Sequence, residues 1–408
     1  MREAYLEMVT SSNNNKYYHM TQISTDTFEV RYGRIGSSVQ QTSYAMSQWD
    51  KKYNEKVRKG YKDTTHLQAK IEPSNLQEEY MPILDQSIAD LVEYLRKKAN
   101  ETIKANYKIA ANAVSGGMIR EAQRLIDELM TVKTRQEFNE TLLELFTALP
   151  RKMNNVPNYL LDKDSDEGRE KIIAREQQLL DIMSSQAVVS GFSHSAYNAP
   201  KNNMTILEAF GLKIEPVDEK DIQLIKKELG ESAGHFYKAW RVTNKETEAA
   251  FQAHIKANKI TKRKRRLFWH GSRTENWWGI LKTGLRLRPT NVAINGKMFG
   301  MGTYFAPKAR KSVGYTSMQG SYWADGRSQF GFLALFDTAY GKPWFPDSYS
   351  ENYKTLDYEK LQKLCPGADC LHAKAGIRYM YSATLRNDEI IFYKENQMRI
   401  RYLVELKA

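Results

Sequence analysis

Leu267-Phe268-Trp269-His270-Gly271-Ser272-Arg273 joins an apolar, aromatic run to a histidine, a glycine and a hydroxyl. Leu267, Phe268 and Trp269 read as a strand, because large branched and aromatic side chains suit a pleated, half-buried surface. The strand delivers His270 and Ser272 on either side of Gly271. Glycine admits a ligand close to the chain, where a backbone N–H and C=O can read an amide. Taken alone, the stretch suits a structural histidine as well as a ligand site.

Two further stretches carry chemistry. Gly296-Lys297-Met298-Phe299-Gly300-Met301-Gly302-Thr303-Tyr304-Phe305-Ala306 reads as a tight loop entering an aromatic strand, with Lys311-Ser312-Val313-Gly314-Tyr315 after it. Its glycines lack P-loop spacing, no Gly-Lys-Ser/Thr triplet follows, and a β-glycine-α dinucleotide fingerprint is missing. Asn387-Asp388-Glu389-Ile390-Ile391-Phe392-Tyr393 puts a carboxylate at the entry of an apolar strand. Partial burial there raises a carboxylate pKa, although a rim glutamate at a strand entry fits equally well.

Outward from these stretches, 408 residues exceed one ordinary domain. A chain 27% charged and 41% hydrophobic is globular, not disordered. The longest apolar run, Phe332 to Phe336, is too short to cross a bilayer, and charged Met1 to Thr10 lacks the apolar core of a secretory signal. No membrane association and an intracellular location are therefore expected. Cys365 and Cys370 exclude a disulfide framework, and with His372 they do not complete a zinc site, so no metal is expected. The net charge of +13 favours a polyanionic partner. From Lys256 to Arg288 eleven Lys/Arg face one acid, Glu275. The central run Lys262 to Arg266 serves a nuclear address, a nucleic-acid patch or a solvated loop edge alike.

The first 78 residues read as a small β-rich unit: Thr27 to Tyr32 alternates and is bounded by Gly33 and Gly36. Ser43 to Lys59, with Trp49, Tyr53 and Val57 four apart, reads as an amphipathic helix. Residues 79–195 turn helical. Their stripes are Leu84, Ile88, Leu91 and Leu95; Ile119, Ala122, Leu125 and Leu129; Phe138, Leu142, Leu145 and Leu149, stopped by Pro150; and Ile172, Leu179 and Met183. Such stripes predict a bundle core. Ser184 to Asn203 reads as a linker. Residues 200–408 show strands at Leu267–His270, Thr303–Phe305, Gly331–Phe336, Glu389–Tyr393 and Arg399–Leu406, with few, short helices between. That is an α+β pattern, not a doubly wound one.

In order and spacing, the three chemical stretches resemble the catalytic domain of the poly(ADP-ribose) polymerases, the diphtheria-toxin-like ADP-ribosyltransferases. The family's histidine–tyrosine–glutamate triad corresponds to His270, Tyr304 and Glu389. The match runs over Leu267 to Arg273, Met298-Phe299-Gly300, Gly302, Tyr304 to Ala306, Lys311-Ser312 and Tyr315. The helical segment resembles the family's regulatory domain at Leu145 to Pro150 and Leu179 to Ile182. The N-terminal unit resembles a WGR domain, with Tyr32-Gly33-Arg34 where the name-giving tripeptide stands, then Gly36. The resemblance implies a multidomain α+β chain: a WGR-like DNA-binding domain (1–78), an all-α helical regulatory domain (79–195) and an α+β transferase domain (200–408). Without a zinc-finger module ahead of the WGR-like unit, the short, DNA-dependent type is expected.

That resemblance implies a pentosyltransferase, within the glycosyltransferases, with NAD as substrate. It would release nicotinamide and pass ADP-ribose to protein acceptors, itself included, and onto growing polymer when DNA carries strand breaks. A mono-ADP-ribosyltransferase and a DNA-break-binding scaffold are the alternatives. By resemblance, Gly271 and Ser312 hold the carboxamide, Tyr315 and Tyr304 flank the nicotinamide ring, and His270 binds the adenosine ribose. Ser272, Gly279, Arg286 and Ala306 line the remaining NAD site. Glu389 carries the catalysis, and Lys311 orients the acceptor. Tyr32 and Arg34, backed by Lys51, Lys52, Lys56 and Arg58, would meet DNA. A monomer is expected, in the nucleus of a eukaryote or otherwise the cytoplasm or nucleoid. Lys297 stands where relatives often carry an aromatic residue, and Cys365 to Gly376 only loosely resembles the acceptor loop.

Overall fold

The computed structural model describes residues 1–68, 80–108, 114–186, 203–287, 298–318, 328–380 and 383–408. Lys297 and, from 187 to 202, the expected linker lie outside the described residues. The chain divides into two compact units: Met1–Asn75 with Ala99–His194, and Leu76–Lys98 with Ser195–Ala408. The division differs from the three segments read along the sequence, because most of the helices of residues 79–195 group with the N-terminal strands.

In the first unit, β1 (Glu3–Val9), β2 (Asn15–Gln22), β3 (Thr27–Arg34), β4 (Gln40–Ala45) and β5 (Lys62–Asp63) form one antiparallel sheet in the order β4-β3-β2-β1-β5. Alternation buries Leu6, Met20, Phe28 and Val30 on one face. Helix α1 (Trp49–Arg58) lays Trp49 edge-on against Phe28 at 4.9 Å. Ser43 to Ala45, assigned to that helix by its periodicity, belong to β4, and Val57 is exposed. The apolar stripe closes at Tyr53, because one face of a sheet this small is covered by two helical turns.

Helix α2 (Gln86–Asn106) contributes to both units. Its Ile88, Leu91 and Leu95 join the core of the second unit, whereas Ala99 and Ile103 join that of the first. Leu84 precedes the helix and is 95% exposed, so the first expected stripe begins one turn later. Helices α3 (Gly116–Leu129), α4 (Arg135–Ala148) and α5 (Asp166–Gln186) complete the first unit's core through Ala122, Leu125, Leu129, Phe138, Leu142, Leu145, Leu179 and Met183. A capping box starts α4: Glu137 N–H donates to the Thr134 hydroxyl (3.2 Å), and Thr134 N–H donates back to the Glu137 carboxylate (3.1 Å).

The second unit is built on two sheets. Its helices are α6 (Ile206–Ala209), α7 (Glu219–Leu229), α8 (Lys245–Ala257), α9 (Trp277–Thr283), α10 (Ala309–Val313) and α11 (Tyr358–Leu364). The larger sheet runs β6 (Leu212–Pro216), β7 (Phe236–Asn244), β16 (Met398–Lys407), β10 (Phe330–Thr338) and β8 (Arg266–Ser272) in that order. The smaller one runs β11 (Pro343–Trp344), β12 (Cys370–Ala373), β15 (Glu389–Phe392) and β9 (Thr303–Phe305). A pair β13 (Arg378–Met380) and β14 (Ala383–Thr384) stands apart. β10 is apolar at nearly every position because both its faces are covered: Phe332, Ala334 and Phe336 enter one cluster, Leu333 and Leu335 another. Trp269 and Ala306 exchange backbone hydrogen bonds of 2.9 Å each and tie β8 to the end of β9. Between the strands expected from Leu267 onward the helices are short, α9, α10 and α11 having seven, five and seven residues, whereas α7 and α8, of 11 and 13 residues, precede Leu267 and were not expected. Their exposed charged faces dilute the apolar period. No helix among the described residues is long and apolar enough to cross a membrane.

One buried ion pair marks the first unit. Arg151, 1% exposed, pairs with Glu176 and donates to Asn106 Oδ1 (3.2 Å), while its carbonyl accepts from Asn15 Nδ2 (3.0 Å). Arg151→Ala leaves a buried carboxylate unpaired and is expected to cost about 3–5 kcal/mol, whereas Arg151→Met with Glu176→Leu should recover most of it. Chemical denaturation of the two variants checks this.

Candidate active site

Strand β8 alternates its side chains, so Phe268, His270 and Ser272 share one face while Trp269 and Gly271 share the other. The His270 ring is set among Phe305 (5.6 Å), Phe336 (6.1 Å) and Trp277 (6.4 Å), centroid to centroid. Its Nδ1 lies 3.0 Å from the Tyr304 carbonyl, an acceptor, so the neutral ring carries its proton on Nδ1 and its lone pair on Nε2. Nε2 is then suited to accept from a ribose hydroxyl. The Ser272 hydroxyl accepts from Asn276 Nδ2 at 3.0 Å.

On the other face, β8 meets α10 without room for a side chain. A Cβ on Gly271 would stand 2.0 Å from the Ser312 carbonyl oxygen. Ser312 is buried, and its hydroxyl donates to the Trp269 carbonyl (3.2 Å), which leaves the oxygen lone pairs able to accept an amide N–H. Tyr315, 58% exposed, follows at the end of α10.

The third wall is the β9–β15 ladder. Tyr304 stands opposite Ile391, so Tyr304, Ile391 and Glu389, two residues before Ile391, point to the same face. The Tyr304 hydroxyl donates to the Gly300 carbonyl (3.0 Å) and accepts from Phe299 N–H (3.0 Å). Burial, with the Glu389 carboxylate adding to it, pushes the phenol well above its ordinary pKa, so it stays neutral. The glycine loop before β9 is tied down at Gly300, whose φ is +75° and where a Cβ would clash with Leu356 backbone. Glu389 pairs with Lys311, which α10 supplies one residue before Ser312. Both side chains are largely withdrawn from solvent.

His270, Gly271, Tyr304, Ala306, Lys311, Ser312 and Glu389 are thus linked through β8, β9, α10 and β15. Gly279 is buried within α9, two residues beyond Trp277. Arg286 goes elsewhere. It pairs with Glu395 at 2.9 Å, on the lining of a cavity of about 560 Å³ that also includes Thr247, Lys394 and Met398. That cavity takes in none of His270, Tyr304 and Glu389. Neither expected DNA contact is presented freely. Arg34 donates to Asn13 O (2.9 Å), Asn13 Oδ1 (2.8 Å), Met153 O (3.1 Å) and Asn154 O (2.8 Å). Tyr32 is half-buried, its ring 5.9 Å from that of Tyr18. On α1, Lys51 and Arg58 are exposed, and Lys52 and Lys56 cover the rings of Tyr44 (4.4 Å) and Tyr18 (4.2 Å). Among the described residues, no cluster of three or more His, Cys, Asp or Glu could hold a metal.

Sequence reasoning missed the contacts made by Tyr340, His372 and Asp388. Along the sequence His372 reads as an incomplete zinc ligand and Asp388 as a neighbour of Glu389. A carboxylate directly before a buried glutamate was the available signal.

Gly271→Ala is expected to destabilise the second unit by about 1–3 kcal/mol through overpacking and to abolish binding of an amide ligand. Thermal melting with and without nicotinamide reads both effects.

Comparison with known proteins places the chain in a family. The profile of the poly(ADP-ribose) polymerase catalytic domain matches residues 220–342, and that of the WGR domain residues 2–68. Uncharacterized protein 101L of Invertebrate iridescent virus 6 is 35% identical over 184 residues, 44% of this chain and 76% of that protein. Protein 100L of the same virus, named poly [ADP-ribose] polymerase-like, is 28% identical over 171 residues, 42% of this chain and 85% of its own length. Human poly [ADP-ribose] polymerase 2 is 32% identical over 165 residues, which cover 35% of this chain and 26% of the human protein. The chain therefore belongs to the poly(ADP-ribose) polymerase family of NAD+ ADP-ribosyltransferases and also carries a WGR domain.

Proposed function

We propose that this transferase uses the β8–α10–β15 site to release nicotinamide from NAD+ and to pass ADP-ribose to protein acceptors, itself included, and onto growing polymer in response to DNA strand breaks. The observation that supports the site most is the shared face of Tyr304 and Glu389, with Glu389 paired to Lys311 next to the close Gly271–Ser312 contact. A flat amide ring fits between aromatic side chains, and its carboxamide finds backbone at Gly271 and a hydroxyl oxygen at Ser312. His270 takes the adenosine ribose through Nε2.

When the bond between nicotinamide and ribose breaks, its electron pair leaves with neutral nicotinamide. The ribose carbon becomes oxocarbenium-like, and an acceptor oxygen attacks it and loses its proton. Fixed charge placed where positive charge develops supplies most of such a barrier reduction. Glu389 supplies that charge, holds the ribose hydroxyl and orients the attacking oxygen. Lys311 holds the Glu389 carboxylate and meets the acceptor side.

Activation by DNA rests on the WGR match, the net charge of +13 and the exposed cations of α1. Lys and Arg that displace counterions from phosphate make such binding weaken with salt. DNA activates only by binding the active form more tightly than the inactive one. The helices between Tyr80 and Met183, α2 to α5, are the proposed restraint on turnover.

Labelled NAD incubated with and without nicked DNA tests the reading. DNA-stimulated, protein-bound ladders support it, and turnover indifferent to DNA removes the activation. Glu389→Gln is expected to lower transfer by a factor of about 10²–10³ and to abolish elongation, with NAD binding within about twofold of wild type. His270→Ala should instead raise KM for NAD. Leu145 is buried in the first unit's core, and truncating such a leucine costs about 2–5 kcal/mol. Leu145→Ala is therefore expected to raise DNA-independent turnover and shrink the stimulation by DNA, which paired nicotinamide-release assays measure.

A further inference from the structure

A second hydrogen-bonded chain ends one residue before Glu389. The Tyr340 hydroxyl lies 2.7 Å from His372 Nδ1, and His372 Nε2 lies 2.9 Å from Asp388 Oδ2. A phenol donating to Nδ1 leaves the neutral ring to donate from Nε2 to the carboxylate. The other carboxylate oxygen, Asp388 Oδ1, accepts from Ala375 N–H at 2.9 Å. Phe345 packs on the imidazole, with ring centroids 4.9 Å apart. Burial pushes the Asp388 pKa up, but the hydrogen bonds from Ala375 and His372 outweigh it and hold the carboxyl below its ordinary value. The Tyr340 phenol is pushed up to about 12 by burial and then by the neighbouring Cys370 thiol, so it is a neutral donor and not a nucleophile.

The place of this chain in the fold gives it a purpose. β12 pairs with β15 over three residues only, Leu371 with Ile391, His372 with Ile390 and Ala373 with Glu389. Glu389 is the last paired residue, at the end of a ladder where backbone frays most readily. Asp388 lies just beyond it and is clamped from both oxygens, to the β12 side chain His372 and to the backbone of Ala375. The clamp restrains the chain on the open side of Glu389, where the ladder no longer does.

We propose that Tyr340, His372 and Asp388 are positioning residues that fix the Glu389 backbone, and so its carboxylate, for transfer. The proposal rests on the reading of Glu389 as the transfer carboxylate. Its energetic logic is that a misplacement of about 1 Å at a reacting group costs on the order of 10²-fold in rate. Substrate binding at Gly271, Ser312 and His270 does not pass through β12.

The test is steady-state NAD turnover of the full chain for His372→Ala, His372→Gln, Asp388→Ala, Asp388→Asn and Tyr340→Phe, with Glu389→Gln alongside. Gln carries an amide N–H able to replace Nε2–H. Asn keeps Oδ1 for Ala375, and the ring changes tautomer to accept its N–H. The alanine variants are expected to lose about 10–100-fold in kcat with KM for NAD within about twofold, and the Gln and Asn variants to stay within about threefold of wild type. Wild-type kcat in both alanine variants, with Glu389→Gln inactive, overturns the positioning chain and leaves Glu389 standing. Wild-type transfer by Glu389→Gln instead sinks the reading of Glu389 itself. Equal losses in kcat, NAD affinity and melting temperature, unrescued by Gln or Asn, reduce the chain to a fold contact and overturn it as well. Should the alanine variants fail to fold, Tyr340→Phe decides: it removes one hydroxyl, and a selective fall in kcat of about threefold or more is required, unchanged kcat counting against the proposal.

Discussion

The pairing of β9 with β15 is the constraint on which the site depends. Because Tyr304 stands opposite Ile391, the side chains of Tyr304 and Glu389 emerge on one face. A slip of one residue would turn Glu389 into the other face, away from Lys311 and the Gly271–Ser312 notch. The register is held from both sides. Ile390, Ile391 and Phe392 are buried completely, Ile390 and Phe392 in one cluster with Phe305 and Ile391 in another against Tyr304, so a slipped strand would misfit the packing on both faces. Packing energy therefore sets the direction of the Glu389 carboxylate, which itself contributes little to the core.

The same economy of elements recurs at α10. Five residues supply Lys311 to Glu389 and Ser312 to the wall facing Gly271. The helix can come this close only because β8 carries glycine at that point. In this way a backbone contact on one face of β8 and a histidine on the other are set by a single strand. Its neighbour β10, covered on both faces, gives β8 its rigidity.

Much of this was legible along the chain, and the reasons differ by element. The strands at Gly331 and Glu389 announce themselves as near-continuous apolar runs, those at Leu267 and Thr303 through aromatic residues, and that at Arg399 through partial alternation. His270, Tyr304 and Glu389 stand out through chemistry placed at strand entries and ends. Helices α7 and α8 and strand β7 did not stand out, since each carries polar residues on a solvent face, Lys and Glu along the helices and Lys238 in the strand. Arg34 and Arg286, expected at ligands, have protein partners that the sequence does not announce. Both guanidiniums are engaged by groups of their own unit, Arg34 by three backbone carbonyls and the Asn13 side chain, Arg286 by Glu395. Such partners are far apart in sequence, 119 and 109 residues in two of these contacts, and no local pattern encodes them.

The central claim is that an amide-bearing ring is held between β8, α10 and the Tyr304–Glu389 face. A crystal structure of the chain soaked with nicotinamide tests it directly. The carboxamide is expected at Gly271 backbone and Ser312 Oγ, with the ring against Tyr315. Nicotinamide found instead in the cavity beside Arg286 and Glu395, with the Gly271–Ser312 notch empty, would contradict it.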